Sequence, residues 1–184
     1  MQLYTLLELD QLINDQLQQD FACLLKVSHW VRNFLANSHP QLGRRGSVCP
    51  FIPRALQLDL IRMTVIRARE LEPQHIEVIV KRYRDIFLKL EPNDENAVSK
   101  ALLLIFPDII TERDFRLLNG LHKALKPYFI ESGLMLGVFH PVANKPGLHN
   151  PNFYPFLSPV PLLAIRFMVP PDLYLFHPCR TQER

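Results

Sequence analysis

A chain of 184 residues, 48% hydrophobic and 21% charged, can bury one sizeable core and has the composition of an ordinary soluble globular protein. The net charge of +3 is small, and without a lysine–arginine run there is no electrostatic footprint for nucleic acid, so no nucleic-acid partner is expected. No apolar run approaches the length of a membrane span, which excludes a helical membrane protein.

Cys23, Cys49 and Cys179 are far apart and show no metal-ligand spacing, so a reduced, cytoplasmic protein is expected. Glu8 and Asp10 interrupt the first apolar pattern, which argues against a signal peptide. Leu3 to Asp20 reads as a peripheral helix with a loose stripe of Leu3, Leu6, Leu7, Ile13 and Leu17. A second helix is predicted over Phe21 to Ala36, ended by Asn37-Ser38-His39-Pro40.

Leu42-Gly43-Arg44-Arg45-Gly46-Ser47-Val48-Cys49-Pro50-Phe51 follows as a loop, with Pro50 and Pro53 keeping the segment extended or turned. From Leu58 the period becomes two, with Leu60, Arg62, Thr64 and Ile66 on one face of a first strand. Pro73 opens a helix whose apolar face is Ile76, Ile79, Val80, Tyr83, Phe87 and Leu90. Ala101 to Phe106 reads as a buried central strand.

Thr111 with Asp114 forms a capping-box start to a helix carrying Phe115, Leu118, His122 and Leu125 on one face, with Pro127 marking its end or a kink. Leu134 to His140 and Leu162 to Val169 are the third and fourth strands. Between them, 141–161 holds six prolines and no periodicity, and an ordered connection of that length is usually functional.

The order of elements predicts an α+β (or α/β) sandwich: a mixed sheet of about four or more strands, with helices over one face and further helices at the N-terminus. One domain is expected over 1–184, with 1–20 peripheral, 21–176 the core and 177–184 a tail.

Five residues carry candidate chemistry. Cys49 is a candidate nucleophile, redox centre or metal ligand, and Cys-Pro pairs also serve as thiolate ligands to haem iron; a small buried hydrophobe in a loop is the plain alternative. Arg44, between glycines and beside Arg45, suits a carboxylate or phosphate, against a solvated turn. Arg166 interrupts an apolar strand, so it either pairs an acid or holds an anionic ligand. His140, where a strand meets the long loop, is a candidate base or iron ligand, against a hydrogen-bonded structural histidine. His149, inside the proline-rich loop, is a second histidine of that kind. His122 reads as a satisfied core histidine, and His39, His177 and Cys179 receive no role.

Three stretches together resemble an uncharacterised bacterial family classed as a domain of unknown function. They are His39 to Phe51, with Arg45-Gly46-Ser47-Val48-Cys49-Pro50-Phe51; Gly133-Leu134-Met135-Leu136-Gly137-Val138-Phe139-His140; and Gly147 to Pro151 leading to Ser158 to Arg166. The resemblance runs from about Trp30 to Leu175 and implies no activity. A looser likeness to small bacterial haem-dependent N-oxygenases rests on general layout and on Cys49-Pro50, and implies haem held by Cys49, His140 or His149.

Three functions follow as expectations. The first is a small-molecule-binding, haem-dependent oxidase or oxygenase acting on a small anionic or amino-acid-like substrate, with Cys49 or His140 on iron and Arg44, Arg166 and His149 on substrate. The second is a cofactor-free thiol enzyme with Cys49 as nucleophile and His140 as base. The third is a non-enzymatic binding or assembly module using Leu148, Phe153, Tyr154, Phe156 and Leu157 as a partner surface. A homodimer is left open. A single site requires Arg44, Cys49, His140 and Arg166 to converge under the proline-rich loop.

Overall fold

The computed structural model describes residues 2–11, 19–170 and 172. Part of the expected first helix and the tail 177–184, with His177 and Cys179, lie outside the described residues. The chain forms an α+β sandwich around a five-stranded mixed sheet. Its elements in order are β1 Tyr4–Thr5, α1 Leu6–Gln11, α2 Gln19–Trp30, α3 Ile52–Gln57, β2 Ile61–Val65, α4 Pro73–Lys89, β3 Ala101–Ile105, α5 Glu112–Ile130, β4 Leu134–Phe139 and β5 Leu162–Phe167.

Two local expectations fail for identifiable reasons. The chain before α1 is not helical, because Tyr4 and Thr5 pair antiparallel with Met63 and Arg62. Thr5 and Glu8 then exchange the two bonds of a capping box: the Thr5 amide donates to the Glu8 carboxylate at 2.7 Å, and the Glu8 amide to Thr5 Oγ1 at 3.0 Å. Likewise, Pro53 does not keep its segment extended. It occupies the first turn of α3, where a missing N–H costs nothing. Elsewhere Thr111 and Asp114 close the predicted capping box, and α5 runs through Pro127 to Ile130.

The sheet order is β1-β2-β3-β5-β4. β2 and β3 are parallel, and β5 runs antiparallel to both β3 and β4, so β2, β3 and β4 all point the same way. β5 is therefore inserted between two strands that α5 connects, and β4 is an edge of the sheet among the described residues.

Side chains alternate across each strand, and the two faces bury separate cores. On one face Leu24, Val27 and Val31 pack with Ile61, Met63, Leu103, Ile105 and Leu162. On the other, Val80, Phe87, Phe115 and Leu118 pack with Leu102, Leu104, Leu136, Leu163 and Ile165. Helices thus cover both faces rather than one. The reason is visible in β3, where Leu102 to Ile105 are all buried and need apolar partners above and below.

α2 continues into a π-helical turn, Val31–Leu35. A single 3-10 turn, Pro40–Leu42, then ends at Gly43 with φ +77°. Gly43 has a second constraint: a Cβ there would stand 2.6 Å from the His149 carbonyl oxygen. The proline-rich segment 141–161 is seated on this turn, with Asn150 Nδ2 donating to the Gln41 carbonyl at 2.7 Å.

Candidate functional site

The sheet separates the five candidate residues. Cys49, Arg44 and Arg166 meet on the α2 side, close enough for both guanidinium groups to act electrostatically on the thiol. Each is already engaged by protein. Arg44 Nη1 donates to the Arg45 carbonyl and Nη2 to the Val48 carbonyl, both at 3.0 Å, so it braces its own loop. Arg166 makes a two-pronged pair with the buried Asp172, at 2.7 and 2.6 Å, donates to the Phe167 carbonyl at 2.8 Å, and lies 4.8 Å from the centre of the Phe51 ring. Of the two expectations for Arg166, the ion pair is the one formed. Burial pushes the Cys49 thiol up, and backbone N–H bonds from Phe51 and Ile52 and the two arginines offset this only in part.

His140 lies on the opposite face. It shares the parity of Leu134, Leu136 and Val138, which face α5, and its ring stacks on Phe115 at 5.2 Å and 6°. Cys49 packs against the core on the α2 side, so the sheet stands between it and His140. The four-residue convergence does not occur, and the pair does not form a nucleophile and base or a joint iron site. The Cys49 surroundings also do not fit a haem ligand: a thiolate is needed, while burial favours the neutral thiol and backbone donors already use the sulfur. His149 is exposed, and its carbonyl is set close to Gly43.

The proline-rich segment packs over the first core rather than standing free. Phe153 is buried, 4.9 Å from the His39 ring and 6.1 Å from Phe34. Leu148, Tyr154 and Leu157 remain exposed.

His140 instead belongs to a cleft of about 250 Å³ between α5 and β4. α5 contributes Asn119, His122 and Lys126, at i, i+3 and i+7 and hence on one face. The roof is Ala143, Asn144 and Lys145 with Phe156, all from the proline-rich segment. A turn closed by the Ala143 amide on the His140 carbonyl, at 3.1 Å, brings the chain back over the cleft.

The open edge of the sheet explains how the histidines are held. The Gly133 carbonyl bonds the Met168 amide, so alternate residues of β4 face β5 and Leu136 turns its carbonyl outward. His122 Nε2 covers that carbonyl at 2.9 Å; a carbonyl only accepts, so Nε2 carries the proton and Nδ1 keeps its lone pair. Asn119 Nδ2 donates to His140 Nε2 at 3.1 Å, which places the His140 proton on Nδ1. That Nδ1 is buried and has no partner among the described residues, in a residue only 5% exposed.

Among the described residues that line the cleft, the charged side chains are Lys126 and Lys145. Burial holds the His122 pKa below its usual value, Lys126 and Lys145 lower it further, and the Leu136 carbonyl opposes them. Burial alone lowers His140. Lys126 is lowered by burial and then by Lys145. The cleft therefore presents two imidazoles held toward their neutral forms, with Lys126 and Lys145 among the neighbouring side chains.

Asn119, Lys126 and Lys145 were not singled out by the sequence, and His122 was assigned to the core. The spacing of 119, 122 and 126 is a legible polar stripe. Lys145 carries no sequence signal, because its place depends on how the proline-rich segment folds back.

Neither a curated protein nor a solved structure matches this chain. A family model does, over residues 24–183, which takes in β2 to β5, α3 to α5 and the residues lining the cleft. The chain belongs to the family described as Domain of unknown function (DUF6875).

Proposed function

We propose that this protein binds a small anionic molecule in the cleft between α5 and β4. The observation that carries the reading is the buried His140 Nδ1, which has no partner among the described residues and lies in a cleft that also holds His122 and Lys145. An unmade hydrogen bond at a buried donor costs about 1–3 kcal/mol, which a ligand acceptor recovers. The bound anion also makes protonation of His122 easier. The two imidazoles give the site groups able to accept a proton from a ligand.

The test is nuclear magnetic resonance of the imidazole rings during titration with inorganic phosphate. The expected result is a saturable shift of His122 and a rise in its pKa, with His29, far along α2 from the cleft, unmoved. Unchanged His122 and His140 signals at millimolar phosphate would overturn the reading.

A further inference from the structure

A second cleft, of about 260 Å³, lies beyond the carboxyl ends of the parallel strands β2 and β3. One wall is the loop that leaves β2 together with the start of α4; the other is the loop that leaves β3 together with α5. Asp108 ties the two loops together. Its Oδ2 accepts the Ala68 amide at 2.8 Å and the Arg69 amide at 2.9 Å. Its Oδ1 is buried and has no partner among the described residues. Both oxygens of a carboxylate are acceptors, and leaving one of them dry costs free energy that a donor recovers.

Arg69 has the complementary need. Its amide holds it against Asp108, yet its exposed guanidinium has no partner among the described residues. Asp114, the other acid of the lining, is spent on the start of α5, where Oδ2 accepts the Thr111 amide at 3.0 Å. The rest of the cleft is largely aliphatic, with Leu71, Ile76, Leu117 and Leu121 in its walls.

The cleft thus asks for a donor at Asp108, an acceptor at the neighbouring Arg69, and an apolar body beside both. A simple amine leaves Arg69 unanswered, and a simple carboxylate leaves Asp108 so. An α-amino acid carries its ammonium, its carboxylate and its side chain on one carbon, which matches an acid and a base on adjoining residues. A polar side chain finds little to bond among the aliphatic walls. The volume falls below the range of about 300–1,000 Å³ that holds drug-sized ligands, and suits a smaller molecule.

We infer that this second cleft binds a free aliphatic α-amino acid, its ammonium on Asp108, its carboxylate on Arg69 and its side chain among Leu71, Ile76, Leu117 and Leu121. The site is separate from the anion cleft and uses none of its residues.

Calorimetric titration of the whole chain with L-leucine and three analogues tests this. L-Leucine is expected to bind saturably. Leucinamide, which has no carboxylate, and 4-methylpentanoate, which has no ammonium, are each expected to bind about tenfold more weakly, the yield of one charge-assisted hydrogen bond. Glycine is expected to lose at least about tenfold, because it buries no side chain. Arg69→Gln, at an exposed position that leaves the amide bond to Asp108 in place, is expected to bring leucine down to the level of leucinamide. No saturable binding of L-leucine, or an analogue binding as tightly as leucine, would overturn the inference. So would an unchanged preference for leucine over leucinamide in Arg69→Gln. Any of these results leaves the response of His122 to phosphate standing or falling on its own titration.

Discussion

The two sides of the sheet treat their polar groups in opposite ways. On the α2 side, Arg44, Cys49 and Arg166 sit together and spend their bonding capacity on the protein itself: loop carbonyls, backbone amides and Asp172. On the α5 side, His140 retains a buried nitrogen with no partner among the described residues, in a cleft shared with His122 and Asn119. A conspicuous cluster of charged residues is thus spent on the fold, while a less conspicuous stripe carries the group on which the proposed site rests. Satisfied polar groups fix a fold; leftover ones are what a ligand can use.

Breaking the satisfied side is expected to have the largest effect. Asp172→Ala leaves the Arg166 guanidinium without its counter-ion and removes the acceptor of the Val169 amide. A loss of about 3 kcal/mol is expected in urea unfolding, as for other partly buried pairs broken from one side. A loss below a few tenths would mean that Arg166 is free to serve a ligand, and the contrast between the faces would collapse.

The next effect tests the seat of the proline-rich segment. Gly43→Ala forces a side chain into φ +77° and against the His149 carbonyl. A destabilisation of about 2 kcal/mol is expected from the strained backbone and the displaced segment. Because that segment also supplies Lys145, phosphate binding is expected to weaken as well. Loss of stability with full binding would show that the cleft roof is independent of this turn.

The smallest effect sharpens the α5 side. His122 and His140 have folded-state pKa values below the ordinary value of about 6.5. Between the folded and unfolded values the unfolded chain binds more protons, so stability rises with pH there. The contribution is present above about pH 6.5 and is lost as pH falls through the folded values. Thermal unfolding is expected to occur at lower temperature at pH 5.5 than at pH 7.5. His122→Gln, which keeps a donor for the Leu136 carbonyl, is expected to flatten that dependence. The same slope in the variant would assign the effect to other groups.

Where the chain's own pattern was strong, sequence and structure agree. The apolar faces of α4 and α5, the Thr111–Asp114 capping box, and the four strands from Ile61, Ala101, Leu134 and Leu162 were all legible, because each depends on neighbours within a few residues. Even the parity that places His140 with Leu136 rather than opposite it could be read from the sequence. The short β1 and α3 were not, although Thr5 with Glu8 and Pro53 held the signals.

What only the tertiary structure decided was which of these local pieces meet. The insertion of β5 between β3 and β4 left β4 as an edge and turned the Leu136 carbonyl toward His122. The fold-back of 141–161 brought Lys145 over α5 and sent His149 outward. Contacts such as Arg166 with Asp172, or Gln41 with Asn150, depend on the path of the whole chain. Residue spacing fixes the face on which a side chain lies; strand order and loop paths fix what stands opposite it, and that is where the candidate site is made.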